Sequence, residues 1–88
     1  MKTSFRQSFT KDLAAIKDQG LLKRVKATIE AVEKAASLDR IKGLKKLRRG
    51  GNNCRIRIGD FRIGLAVEAD SVIFVRFINR KDIYRYFP

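Results

Sequence analysis

The C-terminal half of the chain alternates apolar and polar residues, which is the pattern of β-strands with one buried face. Three runs carry this period of two, over residues 54–58, 61–68 and 72–78. Gly59-Asp60 separates the first two runs as a two-residue turn with glycine first, as type II′ turns prefer. Ala69-Asp70-Ser71 joins the second run to the third. Together the runs predict a meander of three antiparallel strands.

The N-terminal half predicts one strand and two helices. A weak alternation predicts a first strand over residues 3–9. Thr10 is a candidate N-cap for a helix over residues 11–18, and Gly20 is its expected end. Residues 21–36 have the clearest helical pattern, because apolar residues recur there at spacings of three and four. Those residues are Leu21, Val25, Ile29, Val32 and Ala36. The two helices are expected to form a helical hairpin.

The segment between the helices and the meander changes character. Residues 37–53 are basic and rich in turn-forming residues, which predicts a loop, with Leu44 and Leu47 held against the core. The element order is therefore β-α-α-β-β-β, followed by a short C-terminal tail. This order predicts an α+β fold, with residues 1–88 as a single small domain whose antiparallel-dominated sheet packs on the helical hairpin.

The composition excludes several kinds of catalytic and metal site. The 88 residues include no histidine, so a histidine general base and a Ser-His or Cys-His pair are excluded. Cys54 is the only cysteine, so the chain forms no internal disulfide, and a zinc site is nearly excluded. On the inner face of its strand Cys54 is expected to fill the core. We expect no metal and no cofactor.

The charge of the chain and its lack of targeting signals indicate where it acts and what it binds. The first residues lack the apolar core of a signal peptide, and no apolar run approaches the ~18 residues of a transmembrane helix. The cytoplasm is therefore the expected location. The chain has 21 Lys and Arg residues against 9 Asp and Glu residues, a net charge of +12. Such a domain favours polyanionic partners, either nucleic acid or an acidic protein.

Most of that charge falls on one part of the chain. Residues 40–62 carry nine cations and a single anion, Asp60, and so a net charge of +8. The cations are Arg40, Lys42, Lys45, Lys46, Arg48, Arg49, Arg55, Arg57 and Arg62. Candidates for RNA binding are Lys45, Lys46, Arg48 and Arg49 of this segment, together with Lys81 of the tail. A solvated basic loop is the alternative interpretation.

The register of the predicted hairpin places three arginines on one face of the sheet. Arg57 faces Arg62, and Arg55 faces Gly64. Arginines directly opposite each other repel, which suits an anion that lies between them, and Gly64 leaves room for a ligand backbone to approach. The opposite face, toward the helices, carries Cys54, Ile56, Ile58, Phe61, Ile63, Leu65 and Val67.

The third strand of the meander and the tail add further side chains. Alternation places Val72, Phe74, Arg76 and Ile78 on one face. It places Ile73, Val75 and Phe77 on the other. Because both faces are mostly apolar, this strand is expected to lie inside the sheet. The tail after it brings Arg80 and Tyr84 to the end of the sheet, near the arginine face.

This set of side chains favours chemistry on a phosphodiester. Guanidinium groups bind phosphate through paired hydrogen bonds and stabilise charge on a phosphoryl oxygen, although their pKa is too high for a general base. A phenol such as that of Tyr84 stacks on bases. RNA carries its own nucleophile, the 2′-OH, so in-line positioning and phosphate stabilisation need neither a metal nor a histidine.

Two motifs resemble the RelE branch of the RelE/ParE toxin superfamily. They are Arg55-Ile56-Arg57-Ile58-Gly59-Asp60-Phe61-Arg62-Ile63-Gly64, preceded by Leu47-Arg48-Arg49-Gly50, and Arg80-Lys81-Asp82-Ile83-Tyr84. With the element order, the resemblance covers essentially the whole chain and implies a RelE-like fold. It implies the toxin of a type II toxin–antitoxin pair, an endoribonuclease that enters the ribosomal A site. There the 2′-OH of the mRNA attacks the adjacent phosphate without a metal, and translation stops. The implied partners are mRNA, ribosomal RNA and an acidic antitoxin, through which alone operator DNA is contacted.

The resemblance gives each candidate catalytic residue a role by position. Arg55 and Arg57 match the two basic strand residues that handle the 2′-OH and the scissile phosphate. Arg62 matches the arginine that stabilises the phosphate. Arg80 matches the arginine proposed to stabilise charge on the leaving 5′-oxygen or to protonate it. Tyr84 matches the tyrosine that stacks on or orients the nucleotide.

The sequence departs from the family pattern at two places, which keeps other functions open. The best-studied members have lysines where Arg55 and Arg57 stand, and many have histidine where this chain has Asn79. Both changes remove groups that carry protons, so cleavage is expected to be weak. One alternative is a non-catalytic RNA-binding or ribosome-binding module, or a degenerate toxin. Another is a ParE-like inhibitor of DNA gyrase, which binds without chemistry of its own.

Overall fold

The computed structural model describes residues 1–47 and 51–88, which form one mixed sheet and three α-helices. The strands are β1 (Lys2–Phe5), β2 (Leu44–Lys46), β3 (Asn53–Ile58), β4 (Phe61–Glu68) and β5 (Ser71–Asn79). The helices are α1 (Gln7–Ala14), α2 (Gln19–Lys34) and α3 (Ile83–Tyr86), with a 3₁₀ turn at Leu38–Arg40. The sheet order is β1-β5-β4-β3-β2, and only β1 and β5 pair in parallel. The expected α+β fold with an antiparallel-dominated sheet is confirmed.

The main core lies between the helices and one face of the sheet. Phe9 of α1 and Val25 and Val32 of α2 are almost fully buried there. The strands contribute Cys54, Ile56, Ile58, Ile63, Leu65, Val72, Phe74 and Phe77. The inner face expected for the β3–β4 hairpin is therefore confirmed, and Cys54 fills the core with 3% of its surface exposed.

The first strand and the first helix begin earlier than the sequence predicts. β1 ends at Phe5, and residues 7–9, expected in the strand, form the first turn of α1. Arg6 is the N-cap residue of α1, and Thr10 lies inside the helix. The prediction was wrong because two phenylalanines four residues apart also fit a helical face. Here Phe9 packs against Phe74 of the sheet, with ring centroids 5.4 Å apart.

Gly20 lies near the start of a helix and does not end one. It lies in the first turn of α2, one residue after the helix starts at Gln19. The N-cap is Asp18, whose Oδ1 accepts a hydrogen bond from the Leu21 amide at 3.1 Å. An aspartate cap satisfies one of the unpaired amides of the first turn, so the glycine there does not stop the helix.

The segment predicted as a loop over residues 37–53 contains ordered elements within its described part. A 3₁₀ turn follows α2, and the three residues of β2 pair antiparallel with β3. Leu44 is half-buried against the main core, and Leu47 exposes only 8% of its surface. The expectation that both leucines hold this segment against the core is confirmed, although Leu47 packs on the opposite face of the sheet.

A β-bulge in β5 reverses the predicted faces of Arg76, Phe77 and Ile78, whereas Val72 and Phe74 share a face as predicted. Gly64 pairs with Arg76, but Leu65 pairs with Phe74, so Val75 has no partner on β4. The extra residue shifts the alternation by one position. Phe77 therefore joins the main core, whereas Arg76 and Ile78 turn toward the arginine face. The expectation that β5 lies inside the sheet is confirmed, since β1 and β4 flank it.

Helix α1 covers the edge of β5 beyond the end of β1. The Arg6 amide donates a hydrogen bond to the Phe74 carbonyl at 2.9 Å, and the Ser8 hydroxyl donates to the Val75 carbonyl at 2.6 Å. The Asp12 carboxylate accepts the Phe77 amide at 2.9 Å. Side chains thus satisfy backbone groups that β1 is too short to reach. Within residues 1–47 and 51–88, no helix is long and apolar enough to span a membrane.

Candidate functional site

The β3–β4 hairpin places three arginines on the face of the sheet that the helices leave uncovered. Arg57 pairs with Arg62, and Arg55 pairs with Gly64, as the register predicted. In the two-residue turn between the strands, Gly59 has a φ of +57°. Glycine adopts this left-handed conformation without strain, which lets the strands reverse in two residues and keeps the register.

The tail adds Arg80 to these three side chains, and the four arginines together are called the arginine cluster. The Arg80 amide donates a hydrogen bond to the Asp60 carbonyl at 2.8 Å, which ties the start of the tail to the β3–β4 turn. Next along the chain, the Lys81 amide donates to Asn79 Oδ1 at 2.9 Å and closes a turn. Helix α3 follows, and Tyr84 on it is 69% exposed.

Arg62 lies close enough to the other four predicted catalytic residues for their charges to act on its pKa. The pKa of Arg62 lies below its usual range, because of burial first and then because of the charges on Arg55, Arg57 and Arg80. Tyr84 acts in the opposite direction. Arg62 Nη1 also donates to the carbonyls of Gly59 and Phe61, each at 2.9 Å. The cluster is therefore a concentrated positive charge whose repulsion an anion would relieve.

Gly64 does not leave the open space that the sequence predicts. A Cβ at this position would lie 2.7 Å from Phe87 Cδ2 and 2.8 Å from Phe87 Cγ. The Phe87 ring thus covers the glycine and forms a second apolar cluster on this face, with Leu47 and Ile83 buried in it and Val75 and Ile78 at its border. The prediction was wrong because the space is filled by a residue that is 23 positions away in sequence.

The candidate RNA-binding residues are spread over different parts of the molecule. Lys45 pairs with Arg55 and so shares the face of the arginine cluster. Lys46 pairs with Cys54 on the helix side, where its charge acts on the thiol, although burial dominates and raises the pKa of Cys54. Lys81 is exposed beside Arg80. The predicted residues Arg48 and Arg49 lie outside the described residues.

Arg76 is a further cation on this face, although the alternation predicted that it shares a face with Val72 and Phe74, which lie in the main core. Its Nε lies 2.7 Å from Asp12 Oδ2, and its guanidinium carbon is 6.0 Å from the centroid of the Tyr86 ring. The hydrogen bond to Asp12 raises the pKa of Arg76, with burial acting against it. Because Asp12 neutralises Arg76, this arginine stabilises the fold and adds little to the positive charge of the cluster. The bulge at Val75 carries no sequence signal that reveals this.

The arrangement suits binding of a phosphodiester on an open surface. Guanidinium groups on paired strands offer several N–H donors to phosphate oxygens, and an exposed phenol beside them offers a ring for stacking. In the described part of the chain, no three Cys, Asp or Glu side chains lie close enough together to hold a metal ion.

Comparisons with known proteins identify relatives along the whole chain. Residues 4–84 match the family model described as the ParE toxin of the type II toxin–antitoxin system parDE. Toxin RelE3 of Methanocaldococcus jannaschii is 42% identical over 89 residues, which span all of this chain and all of that protein.

Solved structures show the same architecture. A chain of the RelB–RelE antitoxin–toxin complex from Methanococcus jannaschii matches with a TM-score of 0.81 and 40% identity, over 97% of this chain and 99% of that one. A chain of the RelBE2 toxin–antitoxin complex from Mycobacterium tuberculosis shares the fold, with a TM-score of 0.63 and 20% identity over 90% of this chain and 96% of that one. The chain therefore belongs to the RelE/ParE family of toxins of type II toxin–antitoxin systems.

Proposed function

We propose that this toxin is a ribosome-dependent endoribonuclease that cuts mRNA in the ribosomal A site and so stops translation in the cytoplasm. The observation that carries the proposal is the arginine cluster with Tyr84 exposed at its side. Arg55, Arg57 and Arg62 stand on paired strands, so their backbones are fixed relative to one another. Rigid strands suit a site that must hold a phosphate in line with its nucleophile.

In the proposed reaction the 2′-oxygen of the mRNA attacks the adjacent phosphorus and the bond from phosphorus to the 5′-oxygen breaks. The products are a 2′,3′-cyclic phosphate and a 5′-OH. Arg55 and Arg57 orient the 2′-OH and the phosphate, and Arg62 stabilises the negative charge that grows on the phosphoryl oxygens. Arg80 stabilises the leaving oxygen, and Tyr84 stacks on the nucleotide.

The protons of this reaction pass to and from water in the proposal. The 2′-OH gives up one proton and the 5′-oxygen gains one, so no net proton is consumed. Arginine is too basic to exchange either proton readily near neutral pH. We therefore expect slow cleavage whose rate rises with pH, since hydroxide then removes the first proton more often.

The proposed protein partner is a cognate acidic antitoxin. The chain carries a net charge of +12, and the similar RelE chain from Methanococcus jannaschii was solved in a complex with RelB. An acidic segment on the arginine cluster would bring opposite charge to the four guanidinium groups. In the proposal, operator DNA is reached only through this antitoxin.

The test is inducible expression in a bacterial host with primer extension on a reporter mRNA. The wild-type chain should arrest growth and produce cuts within translated codons. Arg62→Ala should lower cleavage by about 100-fold or more, the usual cost of removing one donor to a developing oxyanion. The matched control is Arg40→Ala, which removes an exposed arginine of the 3₁₀ turn and should leave cleavage unchanged.

The other outcomes contradict the proposal in different ways. Growth arrest with intact mRNA and a DNA-damage response would favour inhibition of gyrase. Arrest with intact mRNA and stalled ribosomes would favour a binding module without cleavage. No arrest and no cuts would mean a degenerate toxin, in which Asn79 and the paired arginines leave the site inactive. Full toxicity of Arg62→Ala would overturn the assignment of the site.

A further inference from the structure

The close fit between Gly64 and Phe87 is more specific than packing of the tail alone requires. Gly64 is buried in the middle of β4, and a Cβ there would meet three ring atoms of Phe87 at 2.7, 2.8 and 3.0 Å. Carbon atoms in contact normally lie ~3.5–4.0 Å apart. A glycine inside a strand often marks such a close approach. The Phe87 ring thus occupies the space that a side chain at position 64 would need.

Phe87 and Ile83 anchor a helix that cannot hold its own position. Helix α3 has only four residues, and a single turn is unstable by itself in water. Ile83 exposes 1% of its surface and Phe87 exposes 3%, and both pack in the second apolar cluster with Leu47. The position of α3 therefore depends on this cluster.

The same helix carries a residue of the proposed site. Tyr84 directly follows the anchored Ile83 and has 69% of its surface exposed. Upstream, the Arg80 amide is held by the Asp60 carbonyl. The tail is thus fixed at both ends, by a hydrogen bond at Arg80 and by the Phe87 ring on Gly64.

We propose that Phe87 is a positioning residue for RNA cleavage. The packing of its ring against Gly64 holds Tyr84 beside the arginine cluster. The inference rests on the proposed endoribonuclease function and deepens it. Phe87 touches no phosphate itself. Its effect is to keep the phenol of Tyr84 where a nucleotide can stack on it, because a misplacement of ~1 Å is enough to slow a positioned reaction about 100-fold.

The test compares purified variants on ribosomes programmed with mRNA, in single-turnover cleavage as a function of toxin concentration. Gly64→Ala and Phe87→Ala should each lower the maximal rate by about 100-fold while changing the half-saturating concentration less than about threefold. Phe87→Leu places another apolar side chain over Gly64 and should recover most of the rate that Phe87→Ala loses. Arg85→Ala, an exposed residue of the same helix, is the control and should cleave like the wild type.

Hydrogen exchange of the α3 amides measures, independently of cleavage, whether the tail stays docked on Gly64. In Gly64→Ala and Phe87→Ala these amides should exchange rapidly, while the amides of β3 and β4 stay protected because the main core is on the other face. Wild-type cleavage by a variant with an undocked tail would overturn the inference. So would protected α3 amides in Phe87→Ala, or lost cleavage in Phe87→Leu with a docked tail. Absence of cleavage by the wild-type chain would instead overturn the proposed function, and the positioning role of Phe87 with it.

Discussion

At the scale of single residues, the site is built from a contact that costs stability. Arg57 and Arg62 face each other across β3 and β4, and like charges in such pairs are destabilising. Burial is the first cause of the lowered pKa of Arg62, and repulsion from Arg55, Arg57 and Arg80 lowers it further. An acidic residue at one of these positions would remove this cost, and in the proposed function an anionic ligand offsets the repulsion instead.

Replacing one arginine of this pair should therefore stabilise the free protein. Arg57 is exposed, so screening by water limits the gain, and Arg57→Gln should raise the free energy of unfolding by about 0.3–0.5 kcal/mol. In a domain of this size that is a rise in Tm of roughly 2 °C, measurable by calorimetry at low ionic strength.

The control for Arg57→Gln is Lys26→Gln, which removes the same charge from an exposed position of α2, away from the cluster. Its Tm should change less than that of Arg57→Gln. An equal or larger rise in Lys26→Gln would show that total charge, and not the cross-strand pair, sets the cost.

The sequence predicts these residue pairings because they are local. A two-residue turn and a period of two determine every partner in the hairpin from Arg55 to Gly64. The contact of Phe87 with Gly64 could not be predicted in the same way. It depends on how a one-turn helix packs after β5, and no periodicity links the two positions.

At the scale of elements, α1 protects the sheet as well as packing on it. Asp12 accepts hydrogen bonds from Arg76 Nε at 2.7 Å, from Arg76 Nη2 at 3.2 Å and from the Phe77 amide at 2.9 Å. One carboxylate thus satisfies a strand edge and neutralises an arginine of the site face. This explains how Arg76 lies near the cluster without adding to its repulsion.

Removing this carboxylate should be costly. Asp12→Ala should lower the free energy of unfolding by about 2 kcal/mol, because the amide of Phe77 loses its acceptor and Arg76 loses its counter-ion. Asp12→Asn keeps one acceptor oxygen and should cost about half as much. Urea denaturation measures both, and Lys11→Ala, an exposed neighbour on α1, is the control. Equal stability of Asp12→Ala and Lys11→Ala would contradict the bridging role.

The pH dependence of this bridge follows from the direction of the Arg76 shift. Its pKa is raised in the folded protein, so the stabilisation is fully present below the ordinary pKa of arginine and is lost only as pH rises through the higher value. The difference in stability between the wild type and Arg76→Gln should therefore stay constant from about pH 6 to pH 9. If the stability difference disappeared within that range, a group other than Arg76 would control the pH dependence of the bridge.

The sequence predicts the elements in which apolar residues recur regularly over many positions. It does not predict the elements that form only through contacts with distant parts of the chain. The pattern of α2 and of the β3–β4 hairpin extends over enough residues to define each element. β2 has three residues, and only its pairing with β3 makes it a strand. The bulge at Val75 reverses the faces of the last residues of β5, and no residue type in the strand announces it.

At the scale of the whole molecule, the net charge of +12 opposes folding and attracts partners. Raising KCl from about 50 to about 300 mM shortens the screening length to well under 10 Å, so Tm should rise by a few degrees. Differential scanning fluorimetry measures this, and Arg57→Gln should show a smaller rise because one repulsive pair is gone. A Tm independent of salt would mean that the cations are already compensated within the fold.

The two-residue turn at Gly59-Asp60 has a consequence for how this family can vary. One residue inserted there would shift the pairing of Arg57 with Arg62 or form a bulge beside it, and either change would displace the Asp60 carbonyl that holds Arg80. Insertions and deletions among active relatives should therefore avoid this turn and collect elsewhere, as between α1 and α2. If the proposed function holds, a relative with an altered turn should have lost the alignment of its arginines with Arg80 and should cleave RNA more slowly, which reporter-mRNA cleavage by a chain with one glycine inserted after Gly59 would measure.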